Sequence, residues 1–150
     1  MAVEALKSGY LKWLGSLREE IEKYEDSESL WAKIPATPNS GGNLCLHLIG
    51  NLNHFIGANL GGTGYVRTRD NEFSDSGISK DELILKIDET VEVVSRSLGN
   101  LSDDILGNDY PEMLFDTQFT NGEILVHMLG HFAYHLGQID YHRRIVTQGA

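Results

Sequence analysis

Cysteine is almost missing from this chain of 150 residues: Cys45 stands alone, so no disulfide can close within it, and packing must hold the fold together. Proline is scarce too, with only Pro35, Pro38 and Pro111, which leaves long stretches free to be helical and marks the places where a helix cannot pass. No apolar run approaches the ~20 residues of a membrane-spanning helix. The most hydrophobic stretch, 44–60, is broken by Gly50, Asn51, Asn53 and His54. The opening segment MAVEALKSGYLKWL lacks the unbroken apolar centre of a secretory signal. Basic residues are in deficit as well. Twelve Lys and Arg against 22 Asp and Glu give a formal charge of −10, which opposes attraction to nucleic acid and to anionic lipid. These absences lead us to expect a cytoplasmic protein that meets a small-molecule substrate, with neither nucleic acid nor a membrane as partner. The length suits a single domain over 1–150 that buries its own core.

What the chain does have is helical periodicity. Val3, Leu6, Tyr10, Leu14, Leu17, Ile21 and Tyr24 recur every three or four residues and predict a first amphipathic helix. The stretch 25–40, with its acidic residues, serines and two prolines, predicts a long connection with one turn near Leu30 and Trp31, and Trp31 as its anchor. Asn39 or Ser40 can cap a second helix to about Leu60, with Leu48, Ile49, Leu52, Phe55 and Ile56 on the side opposite His47 and His54. The glycines at 61, 62 and 64 end it; without a preceding strand or a following Lys-Ser/Thr they do not make a phosphate loop. The charged run 67–73 predicts a loop with surface ion pairs worth under about 1 kcal/mol each, its arginines being candidates for anion binding. Ser79 to Glu82 reads as a capping box opening a third helix that stops at Gly99 and Asn100. The pattern breaks between 103 and 119, where 113–119 suits an extended piece or small hairpin. Thr120 to Glu123 is a second capping box, and a fourth helix runs to about Thr147. The expectation is an all-α, antiparallel four-helix bundle with a long loop between helices 1 and 2.

All six histidines fall in two of these helices. Steps of four residues from His127 to His131 to His135 advance the side chain by only about 40° each, and His142 falls between them, so four imidazoles share one stripe. His47 and His54 are seven residues apart, about 20° out of line, with Asn51 between them. Two facing stripes of neutral imidazole can hold one ion such as zinc or nickel, or they can line a helix interface in a homodimer. Cys45, turned about 160° from His47, is a poor ligand and reads as a core thiol.

His47, together with the segment His131, Phe132, Ala133, Tyr134, His135, Leu136, Gly137, Gln138, Ile139, resembles the DinB-like (YfiT-like) metalloenzyme superfamily, whose usual signature is H-x3-H-x-GQ-I. HLIGN at 47–51 followed by RTRDNEF at 67–73 is similar to a subgroup of unknown function, and the likeness spans nearly the whole chain. The resemblance implies that His47, His131 and His135 ligate a divalent metal, with zinc or nickel expected. It also implies a reaction class: transfer or isomerisation with a low-molecular-weight thiol cosubstrate of the bacillithiol or mycothiol kind. Asn51, His54, His127 and Gln138 lie near the implied ligands as groups that orient imidazoles or accept a substrate proton, or, for His54 and His127, replace a ligand. His142 is a further extra beyond the family pattern. Three imidazoles leave at least one coordination position open, as a catalytic site requires. A noncatalytic metal- or ligand-binding bundle is the alternative. A homodimer is expected in either case.

Overall fold

The computed structural model describes residues 1–149, and among them every regular element is helical. The long helices are α1 (Ala2–Glu22), α3 (Gly41–Leu52), α5 (Lys80–Gly99) and α6 (Asn121–Thr147); α2 (Ser27–Leu30) and α4 (Arg69–Ser74) are short. A π-helical segment, Asn53–Ala58, extends α3, and a 3-10 turn, Asp103–Gly107, precedes α6. No helix among the described residues is long and apolar enough to cross a membrane.

The α1 stripe is buried as its spacing predicts: Tyr10, Leu14, Leu17 and Ile21 have no exposed surface. They share one core with Leu48, Leu52, Leu83, Ile87, Leu125 and Phe132. The packing senses follow from paired contacts. Arg18 Nε meets Asp88 Oδ1 at 2.8 Å and Lys80 Nζ meets Tyr24 O at 2.9 Å, so the end of α1 lies at the start of α5. Tyr10 Oη donates to Leu125 O at 2.5 Å and Arg143 Nε meets Glu20 Oε2 at 2.5 Å, so α1 and α6 run in the same sense. Asn53 Nδ2 donates to Thr90 Oγ1 at 3.0 Å while Gly61 lies against Ser97, which sets α3 parallel to α5. The start of α3, at Gly41, lies beside His142 near the end of α6, and these two helices run oppositely.

Most predicted boundaries hold. Ser40 Oγ accepts from Asn43 N and starts α3; Ser79 Oγ accepts from Glu82 N at the head of α5; and both halves of the capping box at Thr120 and Glu123 open α6. Trp31 anchors its loop by donating Nε1–H to Ile78 O at 2.9 Å, and its ring lies so close over Gly42 that a Cβ there would overlap it. Leu114 and Thr117 pair across Phe115 and Asp116, both left-handed, as a two-residue turn and not as strands.

Helix α3 is buried on nearly every side: Gly41 to Cys45, His47, Leu48, Gly50, Asn51 and Leu52 are all buried. Tyr24, Trp31 and His142 pack against its first turn. The charged run is not the surface loop expected, because 69–74 forms the helix α4, which packs against α3.

Candidate metal centre

The opposed run of α3 and α6 brings His47, in the second turn of α3, level with His131 and His135, which stand one turn apart on α6. Their Nε2 atoms converge: His47 to His131 is 3.2 Å and His135 to His131 is 3.1 Å. One ligand atom from each of the three lies within 4.8 Å of the others, close enough to hold a metal ion. Among the described residues no cysteine, carboxylate or further histidine joins the group. His47 is buried and the other two are half-buried, so the cluster opens past the α6 pair.

The far side of each ring decides what its Nε2 can do. Glu72, from α4, accepts the Nδ1–H of His47 at 3.0 Å; an ionised carboxylate only accepts, so in the neutral ring the His47 Nε2 carries a bare lone pair. Arg67 grips the same carboxylate twice, Nε to Oε2 at 2.8 Å and Nη2 to Oε1 at 2.9 Å, both partners nearly out of solvent. Phe73 lies against the His47 ring with centroids 4.9 Å apart. The carboxylate fits only because residue 50 is glycine: a Cβ on Gly50 would overlap Glu72 Oε2. Gln138 does the same for His135, its Oε1 accepting the Nδ1–H at 2.7 Å. Two lone pairs thus face the His131 Nε2, while the His131 Nδ1 is buried without a partner.

Charge is arranged to match. Burial works against ionisation of Glu72, but hydrogen bonds from His47 and Arg67 outweigh it and hold the carboxyl below its usual range. Burial, with His135 and His47 alongside, pushes His131 down to about 4. His135 is lowered by burial, partly offset by its bond to Gln138. A ligand imidazole must be neutral, and at pH 7 these two are.

The remaining histidines stay apart from the cluster. His54 Nε2 is 2.8 Å from Glu112 Oε2, two turns further along the α3 direction. His127 is exposed beside Phe115 and Phe119. His142 lies on the predicted stripe but two turns below His135, its ring fixed by the Tyr24 hydroxyl at 2.8 Å and by Ala32 O at 2.8 Å. Asn51 is buried near the site on α3, its Oδ1 unpartnered. Cys45 is fully buried, and burial pushes its thiol up to about 12. Sequence reasoning missed Glu72 and Arg67 as site residues: a run of mixed charge looks solvated unless one knows that a helix forms there and turns its single glutamate inward. Of the two arginines of that run, Arg67 is committed to Glu72, and Arg69 is exposed and stacks over Phe73 at 5.1 Å.

A family model described as protein of unknown function (DUF1572) matches residues 11–150, and the chain belongs to that family. No curated protein and no solved structure matches it.

Proposed function

We propose that this member of the DUF1572 family binds a divalent metal ion through His47, His131 and His135 and acts as a thiol-dependent transferase of the DinB-like kind. The observation that carries the metal half is the spacing of the three Nε2 atoms. Ligands about 2.0–2.1 Å from a tetrahedral ion stand about 3.3–3.4 Å apart, and the two measured separations are 3.1 and 3.2 Å. The orphaned His131 Nδ1 supports the same reading. If His131 keeps its hydrogen on Nε2, that hydrogen serves only one of two waiting lone pairs; if it moves to Nδ1, three lone pairs meet with nothing between them. A shared cation satisfies all three lone pairs, with the His131 hydrogen left on Nδ1.

When bound, such an ion supplies a positive charge and an exchangeable position, which lower the pKa of a thiol or water there. The chain's own residues do the rest. Glu72 and Gln138 hold two ring protons away from the centre, Arg67 keeps Glu72 ionised, and α3 with α4 closes the back, leaving one side for substrate. The contacts among α1, α3, α5 and α6 support a single four-helix bundle over the described residues. Its senses are up, down, down, up, and do not alternate: α1 and α6 run one way and α3 and α5 the other.

The test is metal analysis of protein purified without an affinity tag, followed by assay of the loaded protein with a panel of thiols and electrophiles. About one ion per chain, absent from His131→Ala, together with thiol-dependent turnover, is the expected result. Absence of bound metal and of zinc affinity would remove the whole reading. Stoichiometric metal without turnover across the panel would leave a noncatalytic metal-binding bundle.

A further inference from the structure

We propose that a groove reached from the imidazole cluster past Gln138 receives an uncharged, apolar tail of the substrate, so that the site takes an organic molecule with a ligating polar head and a hydrocarbon arm. This rests on the metal reading of the cluster. The groove holds about 390 Å³, within the size range of small-molecule pockets. Its walls are Ile34 and Pro38 from the loop before α3, Leu44 from α3, and Tyr141 and Ile145 from α6. No lysine, arginine, aspartate or glutamate lines it, and the ammonium of Lys33 is engaged by Pro38 O and Asn43 Oδ1, so a charged tail would be desolvated there without a partner. His142 also borders it, but both its ring nitrogens are already bonded.

Continuity with the cluster names the occupant. Gln138 lines the groove, and its Oε1 is the atom that holds the His135 Nδ1–H, so one side chain spans from groove to ligand. Leu44 stands three residues before His47 on the same helix. A molecule with its head at the imidazoles and its arm running past Gln138 therefore finds apolar shelter here. The shelter is already shaped: Thr37 N bonds Ile34 O, Lys33 Nζ reaches Pro38 O at 3.3 Å, and His142 holds Ala32 O, fixing a loop in which Ala36 takes a left-handed φ of 66°. Tyr141 and Ile145 meanwhile remain 70% and 56% exposed, apolar surface that a tail would cover.

The experiment titrates zinc-loaded protein calorimetrically with hydroxamates of increasing straight chain, from acetohydroxamate to octanohydroxamate. Each methylene buried in the groove should tighten binding about two- to fourfold, levelling once the tail outgrows it. Ile145→Glu, a substitution at an exposed position, should flatten the series while leaving acetohydroxamate affinity unchanged. A series already flat in the parent protein, or a slope that survives Ile145→Glu, would overturn the groove while sparing the metal reading. Failure of zinc and acetohydroxamate to bind at all would overturn the metal reading and the groove with it. A parent dimer that Ile145→Glu converts to monomer, with no chain-length dependence, would assign the face to a second copy of this chain and refute the tail.

Discussion

Two levels of the seam between α3 and α6 use histidine in opposite ways. At the upper level His47, His131 and His135 turn their Nε2 atoms toward one point, and two of the rings have their protons held on the outer nitrogen by Glu72 and Gln138. Two turns below, His142 occupies the same helical stripe, yet both its nitrogens are consumed by the Tyr24 hydroxyl and Ala32 O. The first arrangement leaves donor capacity unspent; the second spends all of it on closing α1 and its loop against α6. Position on a helix face brings an imidazole to a seam, but the atoms it meets there decide whether it can ligate anything.

The sharpest way to break the comparison is to remove one ring from each level. His131→Ala should abolish zinc binding, an affinity loss of more than about 100-fold, because two imidazoles cannot supply a three-ligand site. His142→Ala should leave zinc affinity unchanged and lower unfolding free energy by about 2–4 kcal/mol, since it opens a cavity, leaves Ala32 O without its donor and leaves the Tyr24 hydroxyl only the longer bond to Ile139 O. Calorimetric zinc titration and urea denaturation separate the two outcomes. Equal loss of zinc affinity in both variants would erase the distinction between the levels.

A smaller effect sharpens it. Glu72→Gln keeps the shape but replaces a charged acceptor with an amide, and zinc affinity should fall about 10–100-fold, as for other groups that orient a ligating histidine. Gly50→Ala should fall in the same range by a different route, its methyl displacing the carboxylate. Nitrogen chemical shifts of His47 in metal-free protein check the cause, with the proton on Nδ1 in the parent and redistributed in both variants. An unchanged tautomer beside an unchanged affinity would reduce Glu72 to a packing residue.

How much of this could be read from residues alone differs between the same two levels. The two facing histidine stripes, His127 to His142 on α6 and His47 with His54 on α3, were legible because helical spacing and a shared face are properties of the chain, while the choice of His47, His131 and His135 among them came from the family resemblance. The exclusion of His142 was not: angle places it between His131 and His135, and only the end of α1 arriving with Tyr24 removes it from the set. Four of the helices were legible from their stripes and caps. The inward turn of Glu72 was not, since α4 has one turn and a half of mixed charge with no periodicity long enough to declare a buried face, and its register depends on α3 offering Gly50. The parallel and opposed senses of the helices lie equally beyond the pattern, being set by which connections are long.

The smallest expected effect is on the pH dependence of stability, and it tests both levels together. Burial lowers His142 below its ordinary value of 6.5 and takes His131 to about 4. Well above pH 6.5 neither ring takes a proton, folded or unfolded, and both leave stability flat. As pH falls below 6.5 the unfolded chain binds protons that the folded chain refuses, so stability declines, for His131 until about pH 4. Between pH 6.5 and 5.5 the urea midpoint of metal-free protein should therefore fall, and His131→Gln and His142→Gln should each make the fall shallower. Zinc divides them. A bound ion competes with protons for the His131 ring but not for His142, so adding zinc should change the contribution that His131→Gln removes and leave that of His142→Gln as it was. Equal sensitivity to zinc at both positions would mean that His142 is coupled to the cluster after all.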